Sequence, residues 1–505
     1  KQEKRFPKKG TILDIYSKAV NKNIPSENII LCEYKQFEHC TEKINEIICE
    51  YNNYKHKNSI LDYDDLLLYL KTLLECNPEV RKKLSNQYKY IMVDEYQDTN
   101  TIQAQIVKLL ASEHNNVMAV GDDSQSIYSF RGANFKNILE FPELFENTKI
   151  IKLEQNYRSS QNILLLANEI LLKAKEKYTK TLFSDIVSPI KPALISANDM
   201  KMEAEFISQR VLELVEEENL SLNDICVLAR SARMTYNLEI ELAKRNIPYK
   251  KFGGMKFIEA AHIKDIIAHL RVILNPSDII SYTRILLLLD GIGNQSANKL
   301  LPILVNDSEI KNKNLPVKNP EAVIKLTDLI NNNQKDIFNP KKVVQNVLKY
   351  YENILRDKYD DYTKREKDLE HFLALSEKYT SLEDFLSDLA LEPPDTSVTD
   401  IDSGAQKDEF LTLSTIHSAK GLEYKAIFII GAVDGRFPSL YSFNSPEDLD
   451  EELRLMYVAV TRAKTHLAIT YPIDMFDYST NKVLSKPSRF LDGINQDILE
   501  RWVIE

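Results

Sequence analysis

At 505 residues the chain is too long for a single hydrophobic core, so several domains are expected. Hydrophobic residues make up 43% and charged residues 28%, the balance of a water-soluble globular chain, and no run reaches the roughly 18 apolar residues of a membrane-spanning helix. The net charge of −10 excludes nothing about nucleic acid, because a local basic groove can sit on an acidic protein.

Residues 1–57 are polar, rich in Asn and Lys, and helical in pattern. The five cysteines, Cys32, Cys40, Cys49, Cys76 and Cys226, form no CxxC pair. They fit neither a disulfide framework nor a zinc spacing and point to a reducing, cytoplasmic setting. From about 58 to 150, helices alternate with short apolar strands at Tyr90–Val93 and Val117–Val120, each running into an acidic or Gly-containing loop, the pattern of buried parallel β-structure. A further strand is predicted over Lys149–Leu153, then a helix over Ile163–Leu172 and a strand over Asp224–Ala229. Residues 258–400 turn into long amphipathic stretches, Ile263–Leu274, Ala322–Asn331 and Lys341–Asn353 among them, which predicts an all-helical insertion. The Pro-, Ser- and Gly-bearing linker Glu392–Lys407 closes it. Strands resume at Phe410–Ser414, Ala426–Ile430 and Leu467–Thr470. A sheet that stops, admits helices and resumes implies a domain inserted into a second α/β domain.

Only twelve glycines occur, well under the usual share of about 7%, so each marks a position with a special backbone demand. Most fall in or beside strings that carry chemistry. Tyr90-Ile-Met-Val-Asp94-Glu95-Tyr-Gln97-Asp98-Thr99 is an apolar strand ending in two carboxylates, placed at the sheet edge where ligands bind in α/β folds. There Asp94 can hold Mg²⁺ and Glu95 can orient an attacking water. In Gly121-Asp-Asp123-Ser-Gln125-Ser-Ile-Tyr128-Ser-Phe130-Arg131-Gly132, Gln125 can sense a terminal phosphate. Tyr128 and Phe130 offer π faces to single-strand bases, and Arg131 can reach a phosphate or a carboxylate. Gln155-Asn-Tyr157-Arg158-Ser follows the predicted strand. Within the insertion, Asp290-Gly291-Ile-Gly293 opens a helix and frees backbone N–H groups for a phosphate. Thr412 to Glu423 forms a polar loop between two strands, offering Thr415, His417 and Lys420 to DNA or to a domain interface and Glu423 to a ribose hydroxyl. Last comes Glu451-Glu452-Leu-Arg454-Leu-Met-Tyr457-Val-Ala-Val-Thr461-Arg462-Ala463, an amphipathic helix with a Thr-Arg-Ala ending.

These strings, in this order over most of residues 60–470, resemble superfamily 1 DNA helicases of the UvrD/Rep/PcrA family. Many members carry Trp where this chain has Phe130, a departure that keeps an aromatic surface. The resemblance implies two RecA-like motor domains of the P-loop type, the first incomplete, with a helical insertion in the second. It implies that Tyr157 stacks on adenine, that Arg158 contacts the γ-phosphate, and that Arg462 is an arginine finger, beside the catalytic Asp94, Glu95 and Gln125. It further implies ATP and Mg²⁺ as cofactors, single-stranded DNA and ss/ds junctions as partners, and 3′→5′ movement in repair or replication restart.

The domain ranges expected on this basis are 1–57 as the helical remnant of the first domain's own insertion and 58–148 as the partial first motor domain. Residues 149–257 and 409–505 supply the two halves of the second, and 258–408 the helical insertion. None of the twelve glycines is followed by lysine, so the GxxxxGK[ST] phosphate loop is not in this chain. The chain is therefore expected to be an N-terminally truncated, inactive piece of a helicase. The alternatives are a non-catalytic DNA-binding or protein-interaction module and a fragment of a helicase–nuclease.

Overall fold

The computed structural model describes residues 6–145, 147–253, 257–306, 315–317, 319–377, 379–390, 409–477 and 482–504. The expected linker Glu392–Lys407 lies outside them. Packing divides the chain into two units, one of residues 1–191, 438–465 and 489–498, the other of residues 192–437, 466–488 and 499–505.

In the first unit, helices Lys9–Lys22, Ser26–Glu33 and Thr41–Asn58 close over Ile15, Ile29, Ile30, Phe37, Cys40 and Ile44. Helix Tyr63–Cys76 starts on a capping box, in which the Asp62 carboxylate accepts from the Asp65 amide and Asp65 reaches back to the Asp62 amide. Both carboxylates are balanced by the buried Lys55 ammonium, at 2.6 and 2.7 Å. Strands β1 (Ile91–Val93) and β2 (Val117–Ala119) pair in parallel, Met92 opposite Met118. The period-2 alternation sends Ile91, Val93, Val117 and Ala119 to a core of Tyr96, Ala104, Ala111, Phe141 and Phe145. It sends Tyr90, Met92, Met118 and Val120 to solvent. The sequence predicts these strands as buried, and the structure corrects this: among the described residues only one face is covered.

A second correction concerns Lys149–Leu153, which is not a strand. Ile150, Ile151 and Leu153 are exposed, and only Gln155 beyond them makes a bridge, to Phe183. An apolar extended segment becomes a strand only when a neighbouring backbone completes its ladder, and no described residue does so here. Helix Gln161–Leu172 packs its buried Ile163, Leu164, Leu166, Ala167 and Ile170 against helix Pro446–Val460.

The second unit is built on a seven-stranded sheet. Its strands are β3 (Ala193–Ala197), β4 (Ile225–Ala229), β5 (Tyr249–Phe252), β6 (Leu411–Thr415), β7 (Tyr424–Ile430), β8 (Ala463–Pro472) and β11 (Glu500–Val503). A two-stranded antiparallel hairpin, β9 (Met475–Asp477) and β10 (Lys482–Leu484), stands apart from it. The sheet order is β11-β3-β8-β7-β4-β6-β5, and the β11–β3, β3–β8, β7–β4, β4–β6 and β6–β5 pairings are all parallel. β4 reads Ile-Cys-Val-Leu-Ala and is buried throughout, as a central parallel strand covered on both faces should be. Helices Met200–Glu216 and Tyr236–Lys244 cross between β3, β4 and β5.

Between β5 and β6 the described residues contain helices and no strand: Ala261–Leu274, Ile279–Leu286, Asn294–Asn306, Pro320–Asn333, Pro340–Lys358, Tyr362–Ser376 and Leu382–Ala390. They share one core, with the Phe372 and Phe385 rings edge to face at 5.2 Å. Emptying such a site, as in Phe372→Ala, costs about 3–5 kcal/mol. The core also holds a buried carboxylate, Asp265, which accepts from Tyr351 Oη at 2.6 Å, Lys358 Nζ at 3.1 Å and Arg284 Nε at 2.8 Å.

Candidate functional site

β1 delivers Asp94 and Glu95 to its carboxyl end. Glu95 sits in the left-handed region at φ 51°, and Asp94 Oδ1 accepts its amide at 2.9 Å. A non-glycine residue with positive φ is sparsely populated and persists only where its surroundings fix it. Gln97 supplies that fixing. Its fully buried side chain donates from Nε2 to Glu95 Oε2 at 2.5 Å and accepts the Asp122 amide on Oε1 at 3.1 Å. Its carbonyl accepts the Ser126 hydroxyl at 3.0 Å. Gly121 makes this possible, since a Cβ there would lie 2.8 Å from Ile138 and collide with the Gln97 amide oxygen.

The loop after β2 gathers charge around Asp122. Its Oδ1 accepts the Ser124 amide at 3.0 Å and contacts the Lys180 ammonium. Its Oδ2 accepts Gln125 Nε2 at 2.8 Å and Tyr457 Oη at 3.4 Å. Gln125 Oε1 in turn meets Arg462 Nη2 at 3.5 Å. Arg462 is only 2% exposed and is held from below, by Nε to the Val458 carbonyl at 3.1 Å and Nη2 to Thr461 Oγ1 at 3.2 Å. Arg454, eight residues earlier and within helix Pro446–Val460, donates from Nε to the Ser126 carbonyl at 2.8 Å and lies over the Phe135 ring. Burial pulls its guanidinium pKa below the ordinary value, partly offset by Glu451 and Asp450. Burial likewise raises the Tyr457 phenol, with Asp122 adding to it.

The Gln155–Ser160 segment is tied to the chain just beyond Arg462. Asn156 Oδ1 accepts the Arg158 and Ser159 amides, both at 2.8 Å, an Asx turn that opens helix Gln161–Leu172. Ser159 Oγ donates to the Ala463 carbonyl at 2.6 Å and the Ser160 amide to the Lys464 carbonyl at 2.8 Å. Tyr157 projects from this turn, 79% exposed, with Oη on Gln155 Oε1 at 2.9 Å. Asp94, Glu95, Gln125, Arg462 and the backbone of Arg158 thus belong to one packed unit.

Tyr128 and Phe130 lie in the same unit, ring centroids 6.0 Å apart, with Phe130 exposed. Between them the Ser129 amide and hydroxyl both donate to Glu451. Arg131 closes the short helical turn on the φ 91° residue Gly132, where a Cβ would meet Asn21 at 2.9 Å. Thr415 ends β6, and His417, Lys420 and Glu423 occupy the β6–β7 loop of the second unit. Thr415 Oγ1 donates to Ser418 Oγ at 3.0 Å, the Ile416 amide bonds the Ala229 carbonyl, and Glu423 is exposed. Gly253, at φ 80°, packs against Thr415 and Ser418 where no side chain would fit. Gly291 and Gly293 form an exposed turn ahead of helix Asn294–Asn306, with open space around both Cα atoms.

Sequence reasoning passed over four residues here. Gln97, Arg454 and Tyr457 were visible inside their strings, and polar side chains at otherwise apolar core positions were the available signal. Lys180 lies outside every string and gives none.

The family described as UvrD-like helicase C-terminal domain matches residues 151–473, and the one described as UvrD/REP helicase N-terminal domain matches residues 1–146. The ATP-dependent DNA helicase PcrA of Staphylococcus epidermidis is 34% identical over 88% of this chain and 63% of its own length. PcrA of Leuconostoc citreum is 32% identical over 97% of the chain and 68% of its own length. A probable DNA helicase II homolog of Rickettsia felis is 34% identical over 88% and 70%. The chain spans 63% of the length of the Staphylococcus relative.

Proposed function

The chain belongs to the UvrD-like helicase family, and from that premise we propose that it forms the greater part of an ATP-dependent DNA helicase moving 3′→5′ on single-stranded DNA. The observation that carries the reading is the continuous polar chain Glu95–Gln97–Asp122–Gln125–Arg462. It joins a carboxylate suited to orienting a water to a guanidinium suited to stabilising charge on a transferring phosphoryl. Asp94, an exposed carboxylate at the strand's end, fits the all-oxygen donor set of Mg²⁺, and the ion when bound would neutralise phosphate charge there.

In this reading the exposed Tyr157 ring stacks on adenine, while Arg158 and Arg462 stabilise the γ-phosphoryl charge. Gln125 reports the phosphate to the loop carrying Tyr128, Phe130 and Arg131, which grip single-strand bases and phosphates. Thr415, His417 and Lys420 of the second unit contact DNA, Glu423 a ribose hydroxyl, and the Gly291–Gly293 turn duplex phosphates at an ss/ds junction. Residues 58–148 act as part of the first motor domain, and 149–257 with 409–505 as the second, around the insertion 258–408. The setting is the cytoplasm, in repair or replication restart. The 505-residue chain by itself is inactive, because it contains no GxxxxGK[ST] loop.

The test is DNA-stimulated phosphate release and strand displacement by the whole protein that carries this chain, on duplexes with a 3′ or a 5′ single-stranded tail. Turnover with displacement from the 3′ tail is expected, and none from the 505-residue chain. DNA binding without ATP turnover by the whole protein would support a binding module instead.

A further inference from the structure

We propose that Lys180 is a positioning residue for this reaction: by neutralising Asp122 and Asp123 it keeps Gln125 and Arg462 facing the phosphate. The inference rests on the helicase reading and deepens it. Lys180 sits at 14% side-chain exposure with Nζ on Asp122 and, at 3.0 Å, on Asp123, over the face of the Tyr457 ring. Its backbone is anchored nearby, since the Tyr178 amide donates to Asp123 Oδ2 at 3.1 Å and Tyr178 Oη to the Ile138 carbonyl at 3.1 Å. Burial alone would push the lysine pKa down, but the two carboxylates more than offset it and hold it above its ordinary value.

The consequence for the site follows from what each group can donate. A carboxylate only accepts, so Asp122 Oδ2 must take Gln125 through Nε2, which leaves Oε1 turned to Arg462. The amide has two unlike ends, and Asp122 decides which one meets the guanidinium. Asp122 keeps this part only while its charge is satisfied elsewhere, and Lys180 is the one cation shown bonded to it among the described residues. Without Lys180, two adjacent carboxylates, one of them buried, lose their bonded cation beside the Gln125–Arg462 contact. The nearest remedy is for Asp122 to capture the Arg462 guanidinium itself, which withdraws it from the phosphate.

The experiment is steady-state ATP hydrolysis by the whole protein at saturating single-stranded DNA, comparing wild type, Lys180→Met, Lys180→Arg and the pair Lys180→Met/Asp122→Asn. Lys180→Met should lower kcat about tenfold or more while KM for ATP changes by less than about threefold, because the lost interaction acts on the transition state. Lys180→Arg should restore most of kcat. The pair, which has no competing carboxylate at 122, should regain at least about threefold over Lys180→Met, the opposite of two independent lesions. The pair also keeps the test decisive if Lys180→Met alone fails to fold. A Lys180→Met protein with kcat within about twofold of wild type, or a pair no better than the single variant, overturns the proposal. A wild-type protein without DNA-stimulated turnover overturns the helicase reading, and the proposal with it.

Discussion

Arg158 and Arg462 come from segments some 300 residues apart, yet the Ser159 and Ser160 bonds to the Ala463 and Lys464 carbonyls lock those segments together. Each arginine is therefore held by backbone, and truncating its side chain should remove charge stabilisation while leaving the scaffold in place. In the whole protein, Arg158→Ala and Arg462→Ala should each lower kcat by about 10³-fold with little change in nucleotide affinity. Rapid-quench turnover with DNA present measures this, and a near-normal kcat in either variant would remove that residue from the role. Tyr128→Ala and Phe130→Ala should each weaken single-strand binding by about 1–3 kcal/mol. Fluorescence titration against unchanged thermal stability separates lost stacking from lost packing. At this scale the site was legible wherever chemistry sits in a contiguous string: Asp94, Glu95, Gln125 and Arg462 are named by their neighbours. Lys180 was illegible because its meaning comes from two aspartates nearly sixty residues away, a relation only the fold supplies.

The helices were read well from the 3.6-residue apolar period, and Ile263–Leu274, Ala322–Asn331 and Lys341–Asn353 all fall inside observed helices. Their ends were less visible because caps decide them: Asn319 and Asn339 each accept an amide ahead of a proline, starting the helix earlier than the apolar stripe suggests. Periodicity is equally silent about a polar residue inside the stripe. His269 lies fully buried in helix Ala261–Leu274, its Nδ1 donating to the Asp265 carbonyl at 2.7 Å, beside the Tyr350 and Tyr351 rings. Burial pushes its pKa down to about 4, against a weaker opposing pull from Asp265. A histidine depressed in the folded state binds its proton more readily when unfolded. The stability it permits is therefore present above the ordinary 6.5 and lost as pH falls from there toward 4. Spread over that window the loss is at most about 3 kcal/mol. Thermal unfolding between pH 7 and 4 should show a shallower acid decline for His269→Leu than for wild type. Parallel profiles would mean that His269 does not carry the effect.

Exposed apolar surface lies on two strands that the sequence predicts as buried. Parallel strands are almost always covered on both faces, and a two-stranded parallel sheet is marginal without cover. Here one face of the β1–β2 pair packs on Tyr96 and Phe141, while the other leaves Met92 73% and Met118 55% exposed, next to Tyr90 and Val120. The strands themselves were legible in Tyr90–Val93 and Val117–Val120. What the pattern could not say is whether a second layer is present, since an apolar side chain records that it wants cover and not what provides it. Contiguous exposed apolar surface on strands is a site of association. The 505-residue chain should accordingly self-associate as concentration rises, with a weight-average mass in sedimentation equilibrium that grows above the monomer's. Met92 and Met118 are direct cross-strand partners, so Met92→Lys with Met118→Glu places opposite charges side by side on the exposed face without disturbing the buried one. That pair should hold the chain monomeric over the same concentration range and leave its thermal unfolding within a few degrees of wild type. If the mass still climbs in the charged pair, association runs through some other surface, and the uncovered face of β1 and β2 is not what drives it.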